Sequence, residues 1–387
     1  MTNLSEPCRS NPQVRLHALD ALRAGALLLG LLVHSAMAFM AGTENAWIVH
    51  DKGSSPLADL AFFVPHMFRM VLFFMIAGLF ARLGIQQLGR RAFVKDRIKR
   101  IVLVFIGFWP VIMAGIIATA IVAQAAGFAV PPPPKAGGVP LFHLWFLYVM
   151  TLFYAATLAG TALRLIKVDP AESVGGIGER LLASPLAAPV LAIPLAGAML
   201  ADPRWLPWFG VPTPDQFGLP GAGALVGYGC AYALGWWLAA RLAMLGVWAG
   251  RWRLNLGLAV GASAVFLWQF GLKPDFAPLH GPQWILAATS YGLGAWGWTL
   301  ALTGLAQTYL NRPVREVRYL ADASYWIYLL HLPVVMLLQV VVIRSDIPLA
   351  IKMEAVVLAA TALLLGTYHL LVRRSWIGAW INGRRKG

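Results

Sequence analysis

The chain has 387 residues, of which 59% are hydrophobic and only 12% are charged. A soluble globular domain carries about a quarter charged residues, so this composition excludes an ordinary soluble enzyme. The formal net charge of +15 does not indicate nucleic-acid binding, because the Lys and Arg residues stand in short clusters between long apolar blocks. The two cysteines, Cys8 and Cys230, lie in different kinds of segment and predict neither a disulfide nor a metal site.

The apolar blocks have the length of transmembrane helices. A helix needs about 20 residues to cross the hydrocarbon core. Ten segments meet this requirement, at 24–41, 60–81, 101–126, 142–163, 183–200, 221–240, 254–271, 283–306, 322–343 and 348–372. The fifth is the weakest, because Pro185, Pro189 and Pro194 interrupt it. The sequence therefore predicts an all-α, polytopic integral membrane bundle of about ten transmembrane helices.

The distribution of positive charge predicts the orientation of these helices. With the N-terminus in the cytoplasm, 24 of the 31 Lys and Arg residues fall in cytoplasmic segments and six on the opposite side. Cytoplasmic loops of membrane proteins carry such an excess. We expect a cytoplasmic N-terminal segment at 1–23, a transmembrane domain at 24–372 and a basic cytoplasmic tail at 373–387. The first apolar run also resembles a signal peptide, but the long polar stretch before it favours an uncleaved helix.

Ionisable side chains at membrane depth are costly, so each is by default a functional candidate. On the first helix, Asp20, Arg23 and His34 lie on nearly one face, and Gly30 on the same stripe lets another group approach closely. Asp20 and Arg23 are equally well explained as groups at the membrane interface. His34 lies too deep for that explanation, and we expect it to be functional.

The second and fourth helices carry further polar groups toward their predicted outer ends. His66 and Arg69 share a face of the second helix, and His143 and Trp145 open the fourth. Arg69 keeps its charge and needs a polar partner or cavity, unless it snorkels to the outer surface. These four residues are the candidate acceptor-binding groups.

A basic cluster precedes the third helix, and the ninth helix carries a polar stripe. The cluster comprises Arg90, Arg91, Arg97 and Arg100. It is explained equally well by binding of anionic lipid or by binding of the phosphates of a nucleotide-like donor. On the ninth helix, Ser324, Tyr328 and His331 are spaced at i, i+4 and i+7, with Tyr325 alongside.

Five ordered motifs resemble the membrane acyltransferase family 3. They are Arg15 with Leu-Asp-Ala-Leu-Arg at 19–23 and His34, the segment 66–78, the pair Arg97 and Arg100, His-Leu-Trp-Phe-Leu-Tyr at 143–148, and Ser-Tyr-Trp-Ile-Tyr-Leu-Leu-His at 324–331. The wording Phe-Arg-Met-x-x-Phe-Phe in the second motif is most similar to the glucan biosynthesis protein C branch, which succinylates periplasmic glucans. One departure is Ala77, where the family often has serine.

The resemblance implies an enzyme of the bacterial inner membrane that moves an acyl group to a carbohydrate. The implied donor is a cytoplasmic acyl-CoA (acetyl-CoA or succinyl-CoA), and the implied acceptor is a hydroxyl of a cell-envelope carbohydrate such as a periplasmic glucan. No permanently bound cofactor or metal is implied. The family's key histidine corresponds to His34, with Asp20 and Arg23 as candidate partners, and its arginine pair corresponds to Arg97 and Arg100. Arg90, Arg91, Tyr325 and His331 are added as candidate donor-binding residues.

Two classes without covalent chemistry remain as alternatives. A transporter would need the same intramembrane polar groups, and it would show inverted repeats and broken helices. A glycan flippase would use the same polar cavity.

Overall fold

A computed structural model describes residues 16–44, 47–131, 138–168, 176–203, 205–276 and 279–382. Within these ranges the chain is all-α, and the β pairing is limited to a single bridge between Pro140 and Gln216. The predicted fold class is therefore confirmed.

The helices follow the predicted apolar blocks. They are α1 (His17–Ala36), α2 (Pro56–Leu88), α3 (Arg90–Arg97), α4 (Leu103–Ala125), α5 (Trp145–Ala162), α6 (Ile177–Leu182), α7 (Ala187–Leu200), α8 (Ala222–Leu238), α9 (Ala243–Gly250), α10 (Trp252–Phe270), α11 (Gly281–Tyr309), α12 (Arg315–Val342), α13 (Leu349–Thr367) and α14 (Trp376–Asn382). A π-helical turn at Ile98–Val102 joins α3 to α4, and a second one at Tyr368–Val372 follows α13.

Six helical segments of the described chain are long and apolar enough to cross a membrane. They are His17–Phe39, Pro56–Leu88, Arg90–Ala125, Phe142–Ala162, Arg315–Val342 and Leu349–Val372. Helices α8 and α9 qualify only as a pair bent by 114°. The remaining predicted spans coincide with α7, α10 and α11, but α7 has only 14 residues. The multi-pass architecture is confirmed, whereas the number of ten spans stays a prediction.

One helix boundary differs from the sequence-based expectation, and the predicted tail contains a further helix. Helix α1 begins at His17, seven residues before the predicted span, and ends in a short turn at Met37–Phe39. The basic tail also contains the helix α14, which is docked on the bundle. The Trp380 indole donates to the carbonyl of Lys99 at 2.8 Å, and the Asn382 amide donates to the carbonyl of Asp322 at 2.8 Å.

Close helix packing fixes the centre of the bundle. Helix α1 lies against both α2 and α12, and α2 lies against α8. A Cβ added at Gly78 of α2 or at Gly235 of α8 would overlap the backbone of the other helix. Such close contacts stabilise the bundle by van der Waals packing, because the hydrophobic effect does not drive apolar helices together in lipid.

Helices α1 and α12 run in the same direction. Their first turns line one cavity, which includes Asp20 and Arg315, and His34 and His331 are neighbours farther along. Tyr325 of α12 contacts Arg100. The end of the bundle that carries Arg97 and Arg100 is therefore also the end where α1 and α12 begin, and we call it the arginine end.

Irregular backbone enters the middle of the bundle. The Trp109 indole donates to the carbonyl of Pro140 at 2.7 Å, and Trp109 lies only nine residues, about 14 Å, along the helix from Arg100. Pro140, shortly before the start of α5, therefore lies at the depth of Trp109 and not at the far end of α4. Leu141, the residue after Pro140, donates its amide to the carbonyl of Asp215 at 2.9 Å. Asp215 lies in a second irregular segment, between α7 and α8. Non-helical backbone at membrane depth is tolerated where it is buried in protein or lines a polar cavity.

Candidate functional site

His34 lies in the last turn of α1, between two rings of other elements. Its imidazole stacks on the indole of Trp47, with ring centres 5.8 Å apart and planes within 7°. The ring centre of His331 is 5.1 Å away. The His34 side chain is partly accessible, so protein covers it without sealing it.

A buried glutamine supports this position of His34. Gln339 of α12 accepts a hydrogen bond from the Trp47 indole at 2.8 Å. Its amide nitrogen donates to the carbonyls of His34 and Ser35 at 3.1 and 3.0 Å. Gln339 therefore ties the end of α1 to the ring that stacks on His34. Sequence reasoning missed both Gln339 and Trp47, although a glutamine in an apolar helix is itself a signal.

Arg69 and His66 approach the same region from α2. The Arg69 guanidinium lies directly over Gly30, where a Cβ would overlap it. His66 Nε2 donates to the carbonyl of Phe209 at 2.8 Å. The close approach predicted at Gly30 is thus made by Arg69.

His143 enters on the irregular segment before α5. It follows Phe142, whose φ of 46° is a left-handed conformation that is rare outside glycine. Such strain is often found at functional sites. The His143 ring centre lies 4.9 Å from that of His331, and the Tyr328 hydroxyl donates to the His143 carbonyl at 2.8 Å. We call His34, His143 and His331 the histidine cluster.

Backbone carbonyls fix the tautomers of three histidines. His331 Nδ1 lies 2.7 Å from the carbonyl of Tyr328, and His143 Nε2 lies 3.3 Å from that of Leu329. Because a carbonyl oxygen can only accept, these ring nitrogens carry the protons, as His66 Nε2 does. In neutral imidazoles the opposite nitrogens are bare acceptors.

These bare nitrogens lack partners in the described part of the chain. His331 Nε2, His143 Nδ1 and His66 Nδ1 are buried without a hydrogen bond, and so are His34 Nδ1 and Arg69 Nε. Buried polar atoms are normally paired, because leaving them unpaired costs free energy. Their convergence indicates a site for a polar ligand that brings its own hydrogen-bonding groups.

The arginine end carries a cluster of charged side chains, separate from the histidine cluster. The carboxylate of Asp96 binds Arg97 Nη2 at 2.6 Å and Arg100 Nε at 2.9 Å. The Arg97 guanidinium also lies 5.1 Å from the ring centre of Phe93 and 5.6 Å from that of Tyr154. Two guanidinium groups and one carboxylate leave a net positive charge at a partly exposed position, which favours an anion.

A row of three aromatic side chains on α12, Tyr325, Tyr328 and His331, extends from the arginine end to the histidine cluster. The Tyr325 hydroxyl donates to the carbonyl of Arg100 at 2.6 Å, in the π-helical turn. The Tyr325 ring stacks on that of Tyr328 at 6.2 Å, and Tyr328 lies 6.2 Å from His331. Tyr325 and His331 are six residues, about 9 Å, apart along the helix. His331, predicted with the donor-binding group, therefore lies in the histidine cluster, whereas Tyr325 lies at the arginine end.

Asp20 and Arg23 are not brought to His34. They form an ion pair with each other at 3.6 Å, and the Arg23 side chain is 41% exposed. Eleven residues of helix separate Arg23 from His34, about 16 Å along the axis. Direct contact of either residue with the His34 ring is excluded in this conformation.

Three other predicted site residues lie outside the histidine cluster. Trp145 stacks on Tyr228, with ring centres 5.5 Å apart, in the aromatic core between α2, α5 and α8. Arg90 and Arg91 are exposed on α3. Within the described residues, no group of three His, Cys, Asp or Glu side chains is arranged to hold a metal ion.

The comparisons with known proteins identify the family. A family model described as an acyltransferase domain matches residues 16–371. Neither the curated proteins nor the solved structures gave a significant match. The matched range contains α1 to α13, the histidine cluster and the arginine end. The chain therefore belongs to the acyltransferase 3 family and is a membrane-embedded acyltransferase.

Proposed function

We propose that the protein is an O-acyltransferase of the bacterial inner membrane. It moves an acetyl or succinyl group from cytoplasmic acyl-CoA to a hydroxyl of a cell-envelope carbohydrate, such as a periplasmic glucan. In this proposal both termini and the arginine end face the cytoplasm, in agreement with the distribution of Lys and Arg in the sequence.

The arginine end suits an acyl-CoA donor. Acyl-CoA carries several phosphate oxygens, and guanidinium groups bind phosphate through charge-assisted, often bidentate hydrogen bonds. Arg97 and Arg100 are already oriented by Asp96. The row of aromatic side chains from Tyr325 to His331 extends from the arginine end toward His34. The acyl end of the donor would point in this direction.

The histidine cluster suits a hydroxyl acceptor. The bare nitrogens of His143 and His66 accept hydrogen bonds, and a carbohydrate brings several O–H donors. Arg69 supplies the complementary donor. The reacting hydroxyl gives its proton to His34, and its oxygen forms the ester bond to the thioester carbon. Arg69 stabilises the negative charge on the carbonyl oxygen until the C–S bond breaks, and the proton passes from His34 to the thiolate.

The observation that carries this proposal is the position of His34. The ring is held inside the bundle between Trp47 and His331, beside a cationic side chain, and it remains partly accessible. An imidazole there can act as a base at neutral pH. Transfer through an acyl-His34 intermediate would use the same groups.

The test is transfer of label from acyl-CoA to a carbohydrate. Purified protein is incubated with radiolabelled acetyl-CoA or succinyl-CoA and a glucan, and label on the glucan is measured. We expect transfer by the wild type and a loss of at least about 100-fold in His34→Ala. A matched control is His369→Ala, because His369 is an exposed histidine that contacts Tyr319 instead. Transport of glucan without labelling by the wild type would establish the transporter or flippase alternative.

A further inference from the structure

A catalytic imidazole needs a partner that fixes which ring nitrogen carries the proton. None of the hydrogen bonds in the described part of the chain fixes the tautomer of His34, and its Nδ1 is buried and unpaired. The nearest acidic residue on its own helix, Asp20, is fourteen residues away, about 21 Å along the axis. The orienting group must therefore come from another element.

We propose that His331 is this orienting group, an inference that rests on the proposed function. In the substrate complex, His34 Nδ1–H donates to His331 Nε2. His34 Nε2 is then left bare to take the proton of the acceptor hydroxyl. His331 is accordingly a positioning residue, and His34 is the catalytic base.

The polarity of this arrangement follows from the backbone. The carbonyl of Tyr328 holds the proton of His331 on Nδ1 at 2.7 Å. The Nε2 atom of neutral His331 can then only accept a hydrogen bond. A chain of three groups results, in which the Tyr328 carbonyl sets the tautomer of His331 and His331 sets that of His34.

The distance between the ring centres of His34 and His331 is that expected for one hydrogen bond between the two rings. A hydrogen bond of about 3 Å between nitrogens that each lie about 1 Å from their ring centre gives centres about 5 Å apart. The centres of His34 and His331 are 5.1 Å apart, and His34 Nδ1 and His331 Nε2 are both buried without a partner among the described residues. Catalytic hydrogen bonds are often incomplete before substrate binds, and in the substrate complex rotation about the His34 side-chain bonds brings Nδ1 to His331 Nε2.

His143 is less suited to this task. Its Nδ1 is also bare and buried. However, the ring neighbours of His34 among the described residues are Trp47 and His331, and His143 packs against His331 and Tyr328 instead. His143 is therefore placed to limit the movement of His331.

The proposed steps account for every proton that moves, and His331 stays neutral throughout. The acceptor O–H bond breaks and a bond from that proton to His34 Nε2 forms. The acceptor oxygen bonds to the acyl carbon as the C–S bond breaks, and the proton leaves His34 Nε2 for the thiolate sulfur. Throughout, the Nδ1–H of His34 stays on His34 and His331 stabilises the transient imidazolium.

The experiment compares His331→Leu, which removes the acceptor, with His331→Gln, whose Oε1 can still accept from His34. Steady-state kinetics with labelled acyl-CoA and glucan give kcat and KM. We expect His331→Leu to lower kcat by at least about 100-fold with KM changed less than about threefold, and His331→Gln to retain at least a tenth of kcat. His369→Gln is the control. Thermal unfolding in detergent verifies folding, and His331→Met replaces His331→Leu if the latter unfolds.

The outcomes separate this inference from the proposed function. Equal losses in His331→Leu and His331→Gln, or a loss confined to KM, would overturn the orienting role while wild-type transfer leaves the proposed function standing. Absence of transfer by the wild type would overturn both.

Discussion

Gly30→Ala tests whether the guanidinium of Arg69 must lie against α1. A Cβ at position 30 overlaps Arg69 Nη1, whereas a Cβ at Gly25 on the same helix meets no atom within 4 Å. To restore a van der Waals separation of about 3.5 Å, the guanidinium must move by about 1 Å. A misplacement of about 1 Å at a reacting centre can lower the rate by about 100-fold. We therefore expect Gly30→Ala to lower kcat by about 10- to 100-fold.

The assay is initial rates of glucan acylation, with thermal unfolding as the folding control. Alanine is about 1 kcal/mol more favourable than glycine in a helix interior, so neither Gly25→Ala nor Gly30→Ala should lower stability through propensity. Gly25→Ala should keep wild-type activity. If Arg69 is the group displaced, adding Gly30→Ala to Arg69→Ala should cause little further loss. Full activity of Gly30→Ala, or a full additional loss in the double variant, would refute the reasoning.

Three further substitutions test the two ends of the proposed path. Arg97→Ala and Arg100→Ala should each raise the KM for acyl-CoA by about tenfold or more with little change in kcat, because charge-assisted hydrogen bonds contribute about 1.5–3 kcal/mol. An unchanged KM in initial-rate measurements would identify the pair as a lipid anchor instead. Gln339→Leu removes the hydrogen bonds to Trp47 and to the end of α1, so the free energy of unfolding should fall by about 2 kcal/mol and kcat should fall with it. Unchanged thermal unfolding in detergent would contradict this account of Gln339.

Much of the bundle and part of the site could be predicted from local patterns. Apolar runs of about 20 residues located the helices, because the thickness of the bilayer fixes their length. The cost of ionisable groups in lipid singled out His34, Arg69 and His331 individually. The periodicity of α1 placed Gly30 on the stripe of His34, and the structure fills the space at Gly30 with Arg69.

The pairing of these stripes could not be predicted from one sequence. Helical periodicity gives the face of a residue on its own helix but not the neighbouring helix, so the sequence alone does not show that His331 lies beside His34. The tautomers of His66 and His143 depend on carbonyls that are distant in the sequence, those of Phe209 and Leu329. Trp47 lies in a connection without helical periodicity, and its contact with Gln339 joins residues 292 positions apart.

In the proposed reaction an acyl group passes from a donor on one side of the membrane to an acceptor on the other, with His34 as the catalytic base. The direct measurement uses proteoliposomes with glucan sealed inside and labelled acyl-CoA added outside, with label on the enclosed glucan as the readout. Inhibition by outside-added trypsin, which cleaves the basic loops, reports the molecules whose arginine end faces outward. We predict labelling of the enclosed glucan by wild-type protein and background labelling by His34→Ala. Equal labelling by both proteins would contradict the account.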